Sequence, residues 1–126
     1  MGVSPDGRTG LGKFGEFLAE RFLRQKGYRI LERNFKCRLG EIDLVAKEGG
    51  ELVFVEVKSR SGAAFGLPQE QISLRKQRKL GRLAQFYMKR RRGDVPARID
   101  VVAVLTDQKG HVLSVDHITH AVSFSG

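Results

Sequence analysis

A chain of 126 residues with 40% apolar content fits one domain with an ordinary core, whereas two half-sized domains would each need disulfides or metals to stand. Lysine and arginine number 23 against 14 aspartate and glutamate, and the net charge of +9 favours a polyanionic partner, nucleic acid ahead of an anionic membrane surface. No apolar run is long enough to span a bilayer, residues 1–10 lack the apolar stretch of a secretory signal, and the single cysteine, Cys37, excludes an internal disulfide, so a cytoplasmic setting is expected.

In chain order, residues 1–10 read as a flexible arm and residues 11–126 as one folded domain. Leu11, Phe14, Leu18 and Phe22 recur at helical spacing and Gly27 follows them, which predicts an amphipathic helix over 11–26. Residues 28–35 alternate loosely and read as a strand. Two further strands, 40–46 and 52–58, flank Lys47-Glu48-Gly49-Gly50, whose composition is that of a hairpin turn. The second of these is almost continuously apolar, as a central strand covered on both faces should be. A loop over 61–68 closes at Pro68. A second helix is expected over 73–91, with Gln77, Leu80, Leu83, Ala84 and Tyr87 on one side and Gly93 and Pro96 ending it. Residues 99–105 form a strong strand and 112–115 a weaker one. Three antiparallel strands and a helical crossover imply an α/β fold with a mixed sheet and a helix on each face, in the order α-β-β-β-α-β-β.

The central strand carries two charged residues, Glu56 and Lys58, in an apolar run. Residues two apart on a strand share a face, and burying either charge without a partner costs several kcal/mol. The hairpin turn brings Asp43 on the preceding strand close to Glu56. Two neighbouring carboxylates repel, a condition that a divalent cation relieves, and oxygen ligands select Mg²⁺ or Mn²⁺ over zinc. Glu41 shares a face with Asp43, as an outer ligand or as a salt-bridge partner, and the sequence does not rank the two.

These residues resemble the Asp…(Asp/Glu)-x-Lys signature of the restriction-endonuclease-like nucleases. A wider pattern, Gly15-Glu16, Asn34-Phe35, Gly40-Glu41-Ile42-Asp43-Leu44, Phe54-Val55-Glu56-Val57-Lys58-Ser59-Arg60, Lys76-Gln77 and Asp100-Val101-Val102, resembles the YraN-like family of bacterial proteins, relatives of the archaeal Holliday-junction resolvases. The resemblance implies a restriction-endonuclease-like α/β/α sandwich and a metal-dependent endonuclease acting on DNA, including branched or structured DNA. In it, Asp43, Glu56 and the Val57 carbonyl hold the cation, Lys58 orients water or stabilises the pentacoordinate phosphorus, and Glu16 supplies a further carboxylate. Ile42 stands where many members of that superfamily have proline, a residue that is not a ligand. Resolvase relatives act as dimers, so a homodimer is compatible with the resemblance. The alternative is an inactive nucleic-acid-binding protein on the same scaffold.

Between residues 75 and 92 lie nine basic residues and no acidic one, a helix face suited to phosphate. Arg60, Arg75, Lys76, Lys79 and Arg82 are the expected contacts. Lys76 reaches into the cleft or snorkels over the core, and both remain open. Gly10-Leu11-Gly12-Lys13-Phe14-Gly15 matches a dinucleotide fingerprint but has no strand before it, and Phe14 replaces the hydroxyl residue of a phosphate loop. The histidines at 111, 117 and 120 lack a cysteine partner and are expected to be structural.

Overall fold

The computed structural model describes residues 10–61, 72–91 and 94–123. Gly10, expected in the arm, and Ser61, expected in the loop, are the first residue of α1 and the last of β3, while residues 1–9 and 62–68 and Gly93 lie outside the described residues. Seven elements follow one another: α1 (Gly10–Gln25), β1 (Arg29–Cys37), β2 (Gly40–Glu48), β3 (Glu51–Ser61), α2 (Leu74–Arg90), β4 (Ala97–Thr106) and β5 (Val112–Val122).

The strands form one mixed sheet in the order β1-β2-β3-β4-β5, antiparallel throughout except for the parallel β3–β4 pair across the α2 crossover. Alternation along β3 sorts the core into two layers. Leu52 and Phe54 pack with Leu80, Leu83, Ala84 and Tyr87 of α2. Val53 and Val55 pack with Ala19 and Leu23 of α1. Each helix therefore covers one face, and β3, apolar on both, lies in the middle as its unbroken run predicts.

Two features of the frame position the site. Glu48 pairs with Glu51 around a two-residue turn, Gly49-Gly50, and Gly49 takes the positive φ of 60° that such turns demand. That turn fixes the β2–β3 register along its length, because a slip of one residue would exchange the two faces. Ser73 caps α2 by accepting from the Lys76 backbone N–H at 3.1 Å, so α2 starts at the sheet end where β3 finishes.

The last strand is longer than its sequence suggests. Its apolar pattern is weak beyond Val115, yet β5 continues to Val122 through the histidine segment, held by pairing to β4 and by side-chain bonds from β4. Among the described residues, no helix is long and apolar enough to cross a membrane.

Candidate active site

The β2–β3 ladder runs from Glu48–Glu51 to Leu44–Val55. On the other side of β2, the ladder to β1 pairs Arg33 with Leu44 and Phe35 with Ile42, skipping Asn34 and Asp43 between them. Asn34 there has a φ of 53°. Ile42 packs in the α2-side core and Leu44 in the α1-side core, so the strand's alternation is broken at Asp43. Past the Leu44–Val55 pair, Asp43 Oδ2 accepts from the Val57 backbone N–H at 2.8 Å.

Glu56 is the neighbouring carboxylate and is only 7% exposed. Burial first, and then the charge of Asp43 and a hydrogen bond with it, push its pKa up to about 7. The Lys76 and Lys58 charges oppose that shift, and Lys76 Nζ stands 3.5 Å from Glu56 Oε2. Burial thus disfavours the charged form of Glu56 more than the nearby lysines favour it.

From the opposite face, α1 brings Glu16 to the same place. Its Oε1 accepts from Asn34 Nδ2 at 3.2 Å. The approach depends on Gly15, because a Cβ there would fall 1.9 Å from Ser59 Oγ and 3.2 Å from Ser59 Cβ on β3. Between the elements lies an open cleft of about 640 Å³. Its walls come from Gly12 and Glu16 of α1, Lys36 and Cys37 of β1, and Gly40, Glu41 and Asp43 of β2. Glu56, Val57 and Ser59 of β3 and Lys76 and Lys79 of α2 complete them.

Asp43, Glu56, Val57, Glu16, Lys76 and Lys79 all line this cleft, with Glu41 on its wall. Lys58 is different. It shares the face of Glu56 and is half-buried, but Lys76 rather than Lys58 lines the cleft. Arg60 and Arg75 are exposed outside it, and Arg82 lies on the other flank of α2. Lys36 and Cys37 were not expected there. Their signal is the alternation of β1 beyond Phe35, which only becomes readable once that strand is known to continue. Cys37 is the last strand residue as well as part of the wall.

Sequence reasoning also passed over a second buried charge cluster. On β4, Arg98 Nε donates to Asp100 Oδ1 at 3.0 Å, and Arg98 also meets Glu51, Glu48 and the Tyr28 hydroxyl. Asp100 further accepts from the His120 backbone N–H at 3.1 Å and bonds His117 Nε2 at 2.8 Å. Lys26 Nζ, a donor only, sits 2.7 Å from His117 Nδ1, which assigns the His117 proton to Nε2. Although burial pushes the Asp100 carboxyl up, bonds from His117, Arg98 and the His120 backbone outweigh it and hold the pKa below the usual value. His111, by contrast, closes a turn with Asp107. The His111 and His117 rings are thus bonded within the frame, whereas His120 contributes its backbone N–H.

Among the described residues, no three His, Cys, Asp or Glu side chains are grouped closely enough to hold a metal ion by themselves. Two adjacent carboxylates with excess negative charge nevertheless suit a hard cation that keeps several waters and takes one or two carboxylates, as Mg²⁺ does.

A family model described as "Uncharacterised protein family UPF0102" matches residues 15–104, which include Glu16, Asp43, Glu56 and Lys76. Similar relatives include a UPF0102 protein of Pelotomaculum thermopropionicum, 48% identical over 92% of this chain and 98% of its own length. Another, from Caldicellulosiruptor saccharolyticus, is 46% identical over 88% of this chain and 95% of the relative. One from Moorella thermoacetica is 48% identical over 87% and 92%.

Proposed function

We propose that this chain, which belongs to the uncharacterised protein family UPF0102, is a Mg²⁺- or Mn²⁺-dependent endonuclease that hydrolyses phosphodiester bonds in nucleic acid, DNA ahead of RNA, on a restriction-endonuclease-like scaffold. One observation carries the reading: Asp43 and Glu56 meet at a cleft, with the Glu56 pKa pushed up to about 7, while lysines line the same cleft. A buried acid under strain beside cations marks a functional site more often than a structural pair does.

Asp43 and Glu56, with the Val57 carbonyl, would hold the cation, which when bound neutralises charge on the phosphate and lowers the pKa of its water. The chain's own residues do the rest. Lys36, Lys76 and Lys79 attract the backbone and fix the phosphate between α1 and α2. Lys76, already beside Glu56, is better placed than Lys58 to meet negative charge developing on a phosphoryl oxygen. Glu16, steadied by Asn34, completes the acidic wall and accepts a proton or orients water.

The test is cleavage of linear, flapped and four-way DNA by purified protein in Mg²⁺ or Mn²⁺. Asp43→Asn and Glu56→Gln are expected to lower the rate by about 10²–10⁴ each, on the scale of a lost catalytic group. Cleavage that survives both changes defeats the reading.

The absence of a third side-chain ligand among the described residues favours a second reading, a non-cleaving binding protein. Titration calorimetry with Mg²⁺ separates the two: the binder gives no heat dependent on Asp43 and still binds nucleic acid in EDTA.

A further inference from the structure

The charges of α2 do not all serve the cleft. Lys76 and Lys79 line it. Arg78 and Arg82, with Gln77, Gln85 and Ser123, line a second concavity of about 340 Å³ against the end of β5. Lys79 and Arg78 are successive residues and so point about 100° apart around the helix. α2 is therefore a basic ridge with an open concavity on either flank.

Nothing in the fold accounts for this second flank. Arg78 and Arg82 are exposed, and neither is paired with an acid among the described residues. As like charges four apart they weaken the helix that carries them. The first turn of α2 has no acidic residue and holds Arg75 and Lys76 against the positive end of the helix dipole. An anion laid along the ridge relieves each of these costs, and the charges on both flanks call for two backbones rather than one.

An α-helix with its side chains is about 10–12 Å wide, and the major groove of B-form DNA is about 12 Å wide. We infer that α2 enters the major groove of double-stranded DNA, one strand crossing the Lys76–Lys79 flank at the cleft and the complementary strand crossing Arg78 and Arg82. The inference rests on the nucleic-acid reading above and adds a substrate class to it. The deep, narrow major groove of A-form RNA excludes such a helix, so duplex DNA is bound in preference to duplex RNA.

The test is fluorescence anisotropy in EDTA, so that binding is read without cleavage, with a labelled DNA duplex and the RNA duplex of the same sequence. The parent protein is expected to bind the DNA duplex more tightly than the RNA duplex. The double variant Arg78→Gln/Arg82→Gln is expected to reduce the log–log salt slope on duplex DNA by about 1.8, from two lost phosphate contacts at about 0.9 each. A charge-matched control, Arg29→Gln/Lys109→Gln, removes the same charge from distant exposed positions and should leave that slope unchanged. Equal affinity for the two duplexes, or equal slopes for the two double variants, overturns the inference. In that event a slope reduced by Lys76→Gln/Lys79→Gln leaves the cleft reading standing. Failure of the parent protein to bind either duplex or single strands removes both.

Discussion

Glu56 and Asp100 are both acids buried in apolar strands, each two residues from a cation in sequence, yet their pKa values shift in opposite directions. Asp100 is met by Arg98, His117 and the His120 backbone, and its pKa falls. Glu56 has another acid beside it and one lysine at 3.5 Å, and its pKa rises to about 7. For an acid with a raised pKa, the folded state holds its proton more tightly than the unfolded state does, so stability declines as pH rises from about 4.5 to about 7. Glu56→Gln removes that cost. Its melting temperature is expected to exceed the parent's at pH 8 by an amount worth about 3 kcal/mol, and to match it near pH 4.5, in thermal melts at the two values. Millimolar Mg²⁺ should raise the parent's melting temperature at pH 8 and leave Glu56→Gln nearly unmoved. The rule that singled out Glu56 and Lys58, charged residues alternating on a greasy strand, applies equally to Arg98 and Asp100. It therefore recognises buried charge without distinguishing the candidate site from a structural cluster. What distinguishes them is the supply of partners, which comes from α1, β5 and the β2–β3 turn and is invisible in β4 itself.

At the level of elements, both helices, the hairpin and the central strands were legible, because period and turn residues agreed over long stretches. The Asp43–Glu56 neighbourhood followed from the Gly49-Gly50 turn alone. Strand ends were read short: β1 beyond Phe35, β3 beyond Lys58 and β5 beyond Val115 continue through ladder pairing rather than apolar alternation. The broken alternation at Asp43 was also unreadable, since Ile42-Asp43-Leu44 looks like a regular strand. A close seam between elements lies at Gly15, where α1 crosses Ser59. Gly15→Ala is expected to force α1 away from β3, costing about 1–3 kcal/mol in denaturant unfolding and displacing Glu16 from the cleft. Adding Ser59→Gly should recover most of the loss, because it removes both atoms that the new methyl group meets. A lack of recovery would mean that the helix backbone itself resists the change.

For the molecule as a whole, the Arg98–Asp100 cluster joins parts that are distant in sequence: the β2–β3 turn through Glu48 and Glu51, the end of α1 through Tyr28 and Lys26, and β5 through His117 and His120. Asp100→Asn leaves Arg98 buried with fewer partners, and a loss of about 3 kcal/mol is expected, seen as a melting point roughly 10 °C lower at neutral pH. Because the Asp100 pKa is depressed, its contribution is present above the usual carboxylate value of 3.8 and is lost as pH falls through the folded value. The variant and parent should therefore converge in strong acid and diverge at neutrality.

The left-handed residues on the outer strands bear on how the chain behaves in crowded solution. Asn34 on β1 and His120 on β5 have φ values of 53° and 52°, and each of these strands also has a shifted register against its neighbour. Strands bent in this way make poor templates for a foreign strand, and Arg29, Arg33 and Lys36 add repulsion along one margin. Concentrated samples should therefore stay clear of fibrils, as light scattering and a fibril-binding dye would read.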